Sequence, residues 1–341
     1  MDRTPDEPAS SPTPPRTTEQ AAALLLAQLP FTLREADFPA LGTLYRGKVR
    51  DNFARGDRIA MITTDRISAF DRVLTTIPFK GELLNRITAF WFEKTKHVAP
   101  NHLLDVPDPS VLIVRRLQPL PVEVVVRGYL TGSLWRDQQA GRGATAYGLA
   151  LPAGLKKDQR FETPILTPST KEAVGTHDQP ISPAGLIGRG AVTQRQWDEI
   201  CERALALFKV GQDWAATRGL ILVDTKYEFG IDSSGKLWLI DEIHTPDSSR
   251  YWLAEGSYDR FRRGEDQRML DKEFFRQWLI REREWQGDGP LPEIPDEVRA
   301  RIAGRYRDLA AQLTGESPAL QIGDTRARIE SALRAHGYLQ S

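Results

Sequence analysis

One stretch of the chain places charged side chains at every second position between mostly apolar ones, and this alternation is typical of a strand with one buried face. Residues 220–230 read LILVDTKYEFG, with Asp224, Lys226 and Glu228 at every second position. Side chains of period two point to opposite faces of a strand. The other face carries Ile221, Val223, Thr225, Tyr227 and Phe229. A turn at residues 232–235, reading DSSG, and the apolar run KLWLI at 236–240 then predict a β-hairpin.

The polar face of this hairpin predicts a metal site. If Ser234 and Gly235 form a two-residue loop, Glu228 lies directly opposite Asp241, with their Cβ atoms roughly 5 Å apart. Two facing carboxylates repel unless a cation or a shared proton lies between them. Mg²⁺ at nucleotide sites is held by one or two carboxylates with phosphates and water. The alternative is a solvated face of ion pairs, which the apolar residues of both strands disfavour.

The segment after the hairpin is rich in groups that bind anions. Residues 245–250 read TPDSSR, which places Ser248, Ser249 and Arg250 in one predicted turn. Hydroxyls, turn amides and a guanidinium suit a phosphate or a carboxylate. An ordinary Pro-Asp turn is the alternative interpretation.

The remaining patterns predict an α+β protein of two lobes. A hairpin is expected at 43–53 and 58–64, a helix at 82–96, loops at 138–190, a helix capped by Thr193 and Gln196, and two helices after residue 270. Prolines in QPLP, residues 118–121, suggest a joint, so we expect a first lobe at 17–118 and a second at 119–341. Residues 1–16 have five prolines and predict a disordered leader that ends at the Thr17 cap of the first helix.

Composition narrows the class of protein. Forty-six basic residues balance 46 acidic ones, so no bulk charge points to nucleic acid. A single cysteine excludes an internal disulfide and favours a reducing compartment, and no apolar run approaches the roughly 20 residues that span a membrane. We therefore expect a cytoplasmic protein that binds neither nucleic acid nor a membrane. Oligomeric state is not determined, and a monomer is the expectation.

Six ordered motifs resemble one family of enzymes. They are YRGKVRD (45–51), DRISAFD (65–71), GELLNRITAFWF (81–92), PVEVVVRGYLTGS (121–133), LVDTKYEFG (222–230) and DEIHTPDSSRYW (241–252). Their order and spacing are similar to those of the phosphoribosylaminoimidazole-succinocarboxamide synthases, or SAICAR synthetases. The likeness runs from about Leu41 to Trp278, and the chain length resembles the longer, fungal-type branch. It implies an ATP-grasp-like fold and ATP-driven ligation of L-aspartate to an imidazole carboxylate ribonucleotide, with Mg²⁺.

The resemblance also implies roles for individual residues. The expected ATP-binding residues are Gly47, Lys48, Val49, Arg50, Arg115, Leu117, Glu123, Lys171 and Lys226. The expected substrate-binding residues are Arg127, Ser133, Asp178, Ser248, Ser249, Arg250 and Arg276. Lys226, Glu228 and Asp241 are the expected catalytic cluster, in which Glu228 and Asp241 hold the metal. His244 departs from the family pattern beside this site, where a smaller or apolar residue is expected.

An ATP-driven amide synthesis proceeds most simply through an acyl phosphate, because oxide is a poor leaving group. Such chemistry requires in-line positioning and neutralisation of phosphate charge rather than a protein nucleophile. Asp224 is a candidate base for the amine. Two alternatives remain open, another ATP-dependent kinase or ligase of a small anion and a nucleotide-binding regulatory protein without turnover.

Overall fold

The computed structural model describes residues 18–171, 178–270 and 272–340, so the predicted leader and its Thr17 cap lie outside the described residues. In chain order the strands are β1 (Thr43–Arg46), β2 (Arg50–Arg55), β3 (Arg58–Thr63), β4 (Arg66–Ala69), β5 (Arg72–Thr76), β6 (Leu103–Asp108), β7 (Val111–Arg115), β8 (Gln118–Tyr129), β9 (Arg160–Thr170), β10 (Leu220–Ile231), β11 (Leu237–Ile240) and β12 (Ser249–Leu253). The α-helices are α1 (Thr18–Ala27), α2 (Lys80–Thr95), α3 (Gly132–Gln139), α4 (Pro183–Gly188), α5 (Gln194–Thr217), α6 (Ser257–Arg263), α7 (Glu273–Arg283), α8 (Asp296–Thr314) and α9 (Thr325–Ala335).

Two antiparallel sheets organise the chain, which confirms the predicted α+β class. The first has the order β1-β2-β3-β7-β6, and the second has the order β11-β10-β8-β9 with β12 also on β10. The chain passes from one sheet to the other between β7 and β8. Among the described residues, no helix is both long and apolar enough to cross a membrane.

The second sheet has a break that positions the site. β11 pairs with residues 228–231 of β10 and β12 pairs with residues 220–225, so the two short strands lie end to end along one edge of β10. Residues 241–248 connect them, and we call this segment the edge loop. The loop leaves the sheet beside Lys226, whose backbone N–H donates to the carbonyl of Ser248 at 2.9 Å. Side chains of the loop are therefore delivered to the middle of the charged face.

Three predictions about strands were wrong. The single strand expected at 43–53 is the hairpin of β1 and β2, closed by a hydrogen bond from the N–H of Gly47 to the carbonyl of Arg50 at 2.7 Å. β9 lies within the region predicted as loops. Its two prolines argued against a strand, but β9 is at the edge of its sheet, where prolines are tolerated. β12 begins at Ser249, inside the expected turn.

Helices cover the sheets as their apolar spacing predicts. The Thr193 capping box opens α5, which packs on β10, and Leu83, Leu84, Ile87 and Trp91 bury the inner face of α2. The C-terminal helices were less predictable. α8 packs on α1 and α2, and Ile329 and Leu333 of α9 join the apolar cluster of the first sheet. The last helix thus returns to the N-terminal sheet.

His244, which departs from the family pattern, is a core residue and does not face the charged side chains of β10. Its Nε2 is 2.6 Å from the hydroxyl of Tyr227, its ring meets Trp91 edge to face at 4.5 Å, and the residue is fully buried. Burial lowers the pKa of His244 to about 3, and burial likewise lowers the pKa of His102 to about 3. Both imidazoles are therefore neutral in the folded protein at neutral pH.

These buried histidines should make the fold sensitive to acid. At pH values below the ordinary histidine pKa, each of these two residues is protonated in the unfolded chain but not in the folded protein. The free energy of unfolding therefore decreases as the pH falls. Lowering the pH from about 7 to about 5.5 should reduce the free energy of unfolding by about 1 kcal/mol for each buried histidine. We predict that His244→Gln loses about 1 kcal/mol less than wild type over this interval, measured by urea denaturation at both pH values.

The exposed His97 provides the matched control, because His97→Gln changes a side chain that is solvated in both states. That variant should keep the full wild-type pH dependence. An equal acid loss in wild type and His244→Gln would show that His244 takes up a proton in the folded protein.

Candidate active site

The charged face of β10 exists as the alternation predicts. Asp224 and Glu228 of β10 stand opposite Arg127 and Glu123 of β8, and Lys226 lies between them. The other face of β10 is closed, with Thr225, Tyr227 and Phe229 at most 1% exposed. The central strand β10 thus buries its apolar face and presents its charged side chains on the opposite face of the sheet.

The predicted register of the hairpin was wrong by one residue. Glu228 pairs with Ile240, not Asp241, because the loop spans the five residues 232–236. The Asp232 carboxylate stabilises this longer loop by accepting from the backbone N–H groups of Ser234 at 2.9 Å and Lys236 at 3.1 Å. Asp241 lies one residue beyond β11 at φ 65°. This left-handed residue turns the chain into the edge loop.

Lys226 nevertheless gathers the predicted carboxylates around one ammonium group. Its Nζ is 3.0 Å from Glu123, ion-paired with Glu228 and 3.9 Å from Asp241. Lys171 forms a second ion pair with Glu228. We call Glu123, Glu228, Asp241 and Lys226 the carboxylate cluster.

Arg50 fixes the outer side of this cluster. Its guanidinium is 2.9 Å from Asp241 and 2.9 Å from Glu242, and all three side chains are at most 21% exposed. Burial lowers the pKa of Arg50, but the charges of Asp241 and Glu242 outweigh burial and raise it. Arg50 thus contacts the predicted metal ligands directly, and Glu242 is a site residue that the sequence reasoning did not identify.

The surroundings of the cluster shift the pKa values of its two glutamates in opposite directions. Burial raises the pKa of Glu228, but Lys226 and Lys171 outweigh it and hold that pKa well below the usual range. Burial raises the pKa of Glu123 to about 7, against the attraction of Lys226 and with repulsion from Glu228. Burial also raises the pKa of Asp241, opposed by Arg50. Of the three carboxylates, Glu228 is therefore the one whose ionised form its surroundings favour.

The donor chemistry of the cluster fits Mg²⁺ held largely by phosphate. Glu228 and Asp241 offer oxygen ligands, and both reach the same cation, the Lys226 ammonium. Within the described ranges, no group of three His, Cys, Asp or Glu side chains could hold a metal by itself. A hard ion here would need phosphate or water oxygens beyond the two carboxylates, which is the usual arrangement of Mg²⁺ at nucleotide sites.

Beside the cluster lies a cavity of about 200 Å³, which we call the inner cavity. It is lined by Val125, Arg127, Ser133, Asp224, Lys226, Pro246, Asp247, Ser248, Ser249, Arg250, Lys272, Glu273 and Arg276. Six of the seven predicted substrate residues are in this wall, and only Asp178, which is exposed, is not. Five cationic side chains face three carboxylates, which gives the wall an excess of two positive charges. A small cavity of this composition suits a polyanion.

The guanidinium groups of the wall are held by short contacts. Arg127 donates to Thr167 at 2.8 Å, to Ser133 at 3.1 Å and to Asp224 at 3.4 Å. Arg250 is ion-paired with the same Asp224. Gly132, at φ 60°, leaves the space for Arg250, since a Cβ there would lie 2.3 Å from its guanidinium. Because both guanidiniums engage Asp224, that carboxylate is a poor candidate for the base that the sequence suggested.

The expected ATP-binding residues Gly47, Lys48 and Val49 form the turn of the β1–β2 hairpin. Arg66 donates to the carbonyls of Gly47 and Lys48 at 3.0 Å each and to Asp51 at 2.7 Å, so it fixes the backbone of the turn. Lys48 is half-exposed and ion-paired with Asp71. Val49 accepts from the backbone N–H of Thr64 at 2.9 Å. The turn is rigid, and Arg66 is a positioning residue that the sequence reasoning missed.

Two of the expected ATP-binding residues, Arg115 and Leu117, lie where the chain crosses between the sheets. The Arg115 guanidinium stacks over Trp238 at 5.1 Å, and the Leu117 Cβ lies next to Gly230 on β10. Both are adjacent to β8, which carries Glu123 into the carboxylate cluster. The structure thus brings Arg115 and Leu117 to the same end of β10 as Glu228.

Comparison with known proteins agrees with this geometry. A sequence model of the family described as "SAICAR synthetase" matches residues 43–291. A phosphoribosylaminoimidazole-succinocarboxamide synthase from Legionella pneumophila is 47% identical over 294 residues, covering 85% of this chain and 93% of that protein.

Solved structures agree as well. The SAICAR synthase from Saccharomyces cerevisiae complexed with SAICAR is 33% identical, with a TM-score of 0.73 over 85% of this chain and 100% of that one. A type-2 SAICAR synthetase in complex with ADP is 28% identical, with a TM-score of 0.61 over 81% of this chain and 99% of that one. The sequence, the fold and the site geometry together place this chain in the SAICAR synthetase family.

Proposed function

We propose that this chain ligates L-aspartate to 5-amino-1-(5-phospho-D-ribosyl)imidazole-4-carboxylate, with cleavage of ATP to ADP and phosphate and formation of SAICAR. Family membership makes it a carbon–nitrogen ligase of purine biosynthesis. The observation that carries the assignment of roles is the contact of the inner cavity with the carboxylate cluster through Lys226.

The two regions suit different substrates. The Glu228 and Asp241 carboxylates, with Lys171, Lys226 and Arg50 around them, suit the phosphates of ATP with Mg²⁺. The relative in complex with ADP supports nucleotide binding. The cationic wall of Arg127, Ser133 and Arg250 suits the ribonucleotide phosphate. In this arrangement the imidazole carboxylate lies near Lys226, between the two regions.

The proposed reaction follows from this arrangement of the substrates. A carboxylate oxygen of the imidazole substrate attacks the γ-phosphorus of ATP, and ADP leaves with the electrons of the broken bond. The amine nitrogen of aspartate then attacks the acyl carbon, inorganic phosphate leaves with the electrons of the broken carbon–oxygen bond, and the amine's proton passes to the departing phosphate or to water. Lys226 and Lys171 offset negative charge on the transferred group, as cations do in phosphoryl transfer. Bound Mg²⁺, held by Glu228 and Asp241, would supply further charge neutralisation.

The remaining assignments belong to the same proposal. A division near residue 118 into an ATP-binding lobe and a second lobe is supported by β7 and β8 lying in different sheets, although α9 packs with the first. A cytoplasmic location and membership of the fungal-type branch remain predictions. A role for Asp178 in substrate binding also remains a prediction.

The proposed reaction predicts that ADP release requires both cosubstrates. A coupled assay with ATP and Mg²⁺ should show ADP release only when L-aspartate and the imidazole nucleotide are both present. Release that requires the nucleotide but not aspartate would instead indicate a kinase, and nucleotide binding without any release would indicate a regulatory protein.

Glu228→Gln tests the assigned cluster in the same assay. It should lower kcat by at least about a hundredfold, because it removes an ionised ligand at the phosphate site while keeping the shape of the side chain. Glu162→Gln, on the edge strand β9, is the matched control and should retain the wild-type rate. A near-wild-type rate for Glu228→Gln at ordinary Mg²⁺ concentrations would contradict the assigned role.

Arg127→Ala tests the assigned ribonucleotide site. It should raise the half-saturating concentration of the imidazole nucleotide by roughly tenfold or more, because a charge-assisted hydrogen bond is lost, with little change for ATP. Steady-state kinetics with each substrate varied in turn measures both. Arg142→Ala, an exposed arginine paired with Asp137, is the control. Equal weakening toward ATP would place Arg127 at the wrong end of the site.

A further inference from the structure

Three charged side chains from separate elements meet at the inner cavity, and the assigned roles use none of them. Lys80 begins α2, Asp247 belongs to the edge loop, and Lys272 directly precedes α7. Their side chains are 0%, 5% and 13% exposed. Asp247 and Lys272 line the cavity, and Lys80 lies behind them.

The Asp247 carboxylate is already engaged by groups other than Lys272. Lys80 donates to one oxygen at 2.8 Å, and the Tyr306 hydroxyl of α8 donates to the other at 2.5 Å. Lys272 is 3.6 Å from the first oxygen, beyond hydrogen-bond distance. The hydrogen bond that Lys272 donates goes to the neutral hydroxyl of Ser68 at 3.2 Å. Two buried ammonium groups therefore share one carboxylate.

The charged surroundings of Lys272 leave it short of negative charge. Burial lowers the pKa of Lys272 to about 8, with Lys80 and Arg276 acting in the same direction and Asp247 and Glu242 opposing. Glu242 is itself 2.9 Å from Arg50. An anion bound at Lys272 would remove this penalty, because it supplies the missing countercharge in a region of low dielectric.

The roles already assigned leave one substrate to supply that anion. Arg127, Ser133 and Arg250 take the ribonucleotide phosphate in the proposed function, and the carboxylate cluster takes the phosphates of ATP with Mg²⁺. Lys272 and Arg276 are four residues apart at the start of the 11-residue helix α7, whose N-terminal end favours negative charge. The substrate without an assigned site is the amino acid, which carries two carboxylates.

We propose that Lys272, held by Ser68 and Asp247, binds a carboxylate of L-aspartate in the inner cavity. This inference rests on the proposed function, since it assumes that aspartate is the amine substrate. A carboxylate-binding role is favoured over that of a base for the amine. A proton taken from the amine would restore a second buried ammonium beside Lys80, whereas an anion neutralises the one that is present.

Kinetics of Lys272→Gln provide the first test. The half-saturating concentration of L-aspartate should rise by about tenfold to a hundredfold, the range expected for one lost charge-assisted hydrogen bond. The half-saturating concentrations of ATP and of the imidazole nucleotide should stay within about twofold of wild type, and kcat should stay within about threefold. Lys157→Gln, a half-exposed lysine paired with Asp266 in the neighbouring larger cavity, is the control and should match wild type.

Succinate separates carboxylate binding from proton transfer, because it has both carboxylates of aspartate but no amine. Calorimetric titration of succinate into protein saturated with ADP, Mg²⁺ and the imidazole nucleotide measures binding without turnover. Affinity should fall by about tenfold or more in Lys272→Gln and recover in part in Lys272→Arg, which keeps the charge. Lys272→Arg also serves if Lys272→Gln does not fold.

The outcomes are distinguishable. Unchanged succinate affinity in Lys272→Gln overturns the proposal, and a fall in kcat that is reversed at high pH with unchanged aspartate saturation would assign Lys272 as a base instead. If wild type binds succinate in a Lys272-dependent manner but releases no ADP with aspartate, the carboxylate site stands and the proposed ligase reaction fails.

Discussion

The site depends on one half-buried ammonium group, that of Lys226, placed among three carboxylates on a central strand. A charge in the middle of a sheet with one apolar face is costly unless it is paired. Lys226 is paired with Glu123 and Glu228 and lies near Asp241, and Arg50 and Lys171 complete the neutralisation from outside. The charged face of β10 therefore depends on the ion pairs around Lys226, chiefly those of Glu228 with Lys226 and Lys171 and of Asp241 with Arg50. The same arrangement leaves oxygen ligands and cations ready for a phosphate and its metal.

The edge loop, residues 241–248, joins the two halves of the active site. Its first residues, Asp241 and Glu242, bind Arg50 at the carboxylate cluster, and its last residues, Asp247 and Ser248, line the inner cavity. The loop can serve both because β11 and β12 divide one edge of β10 between them. Helix α8 supports it from behind, where Tyr306 donates to Asp247. Elements outside the residues matched by the family model thus hold a wall of the site.

Patterns in the sequence predicted those features of the site that depend on neighbouring residues of one strand. Period-two alternation placed Lys226 and Glu228 on one face, since only one face of β10 can be buried. The hairpin register was not predictable in this way, because Asp232 stabilises a five-residue loop in place of the expected two-residue turn. β9 was concealed by prolines that an edge strand tolerates. Lys80 and Lys272 gave no signal, because their meeting at Asp247 is created by packing of α2 and α7 around the edge loop.

The most direct test of this account is a crystal structure with Mg²⁺ and a nonhydrolysable ATP analogue. The account predicts a metal ion that contacts Glu228, Asp241 and phosphate oxygens, with the Lys226 ammonium within hydrogen-bond distance of the γ-phosphate. It also predicts that the edge loop keeps its contacts with Arg50 and Tyr306. A structure in which the phosphates and the metal lie away from Glu228 and Asp241, with Lys226 still paired only to carboxylates, would contradict the account.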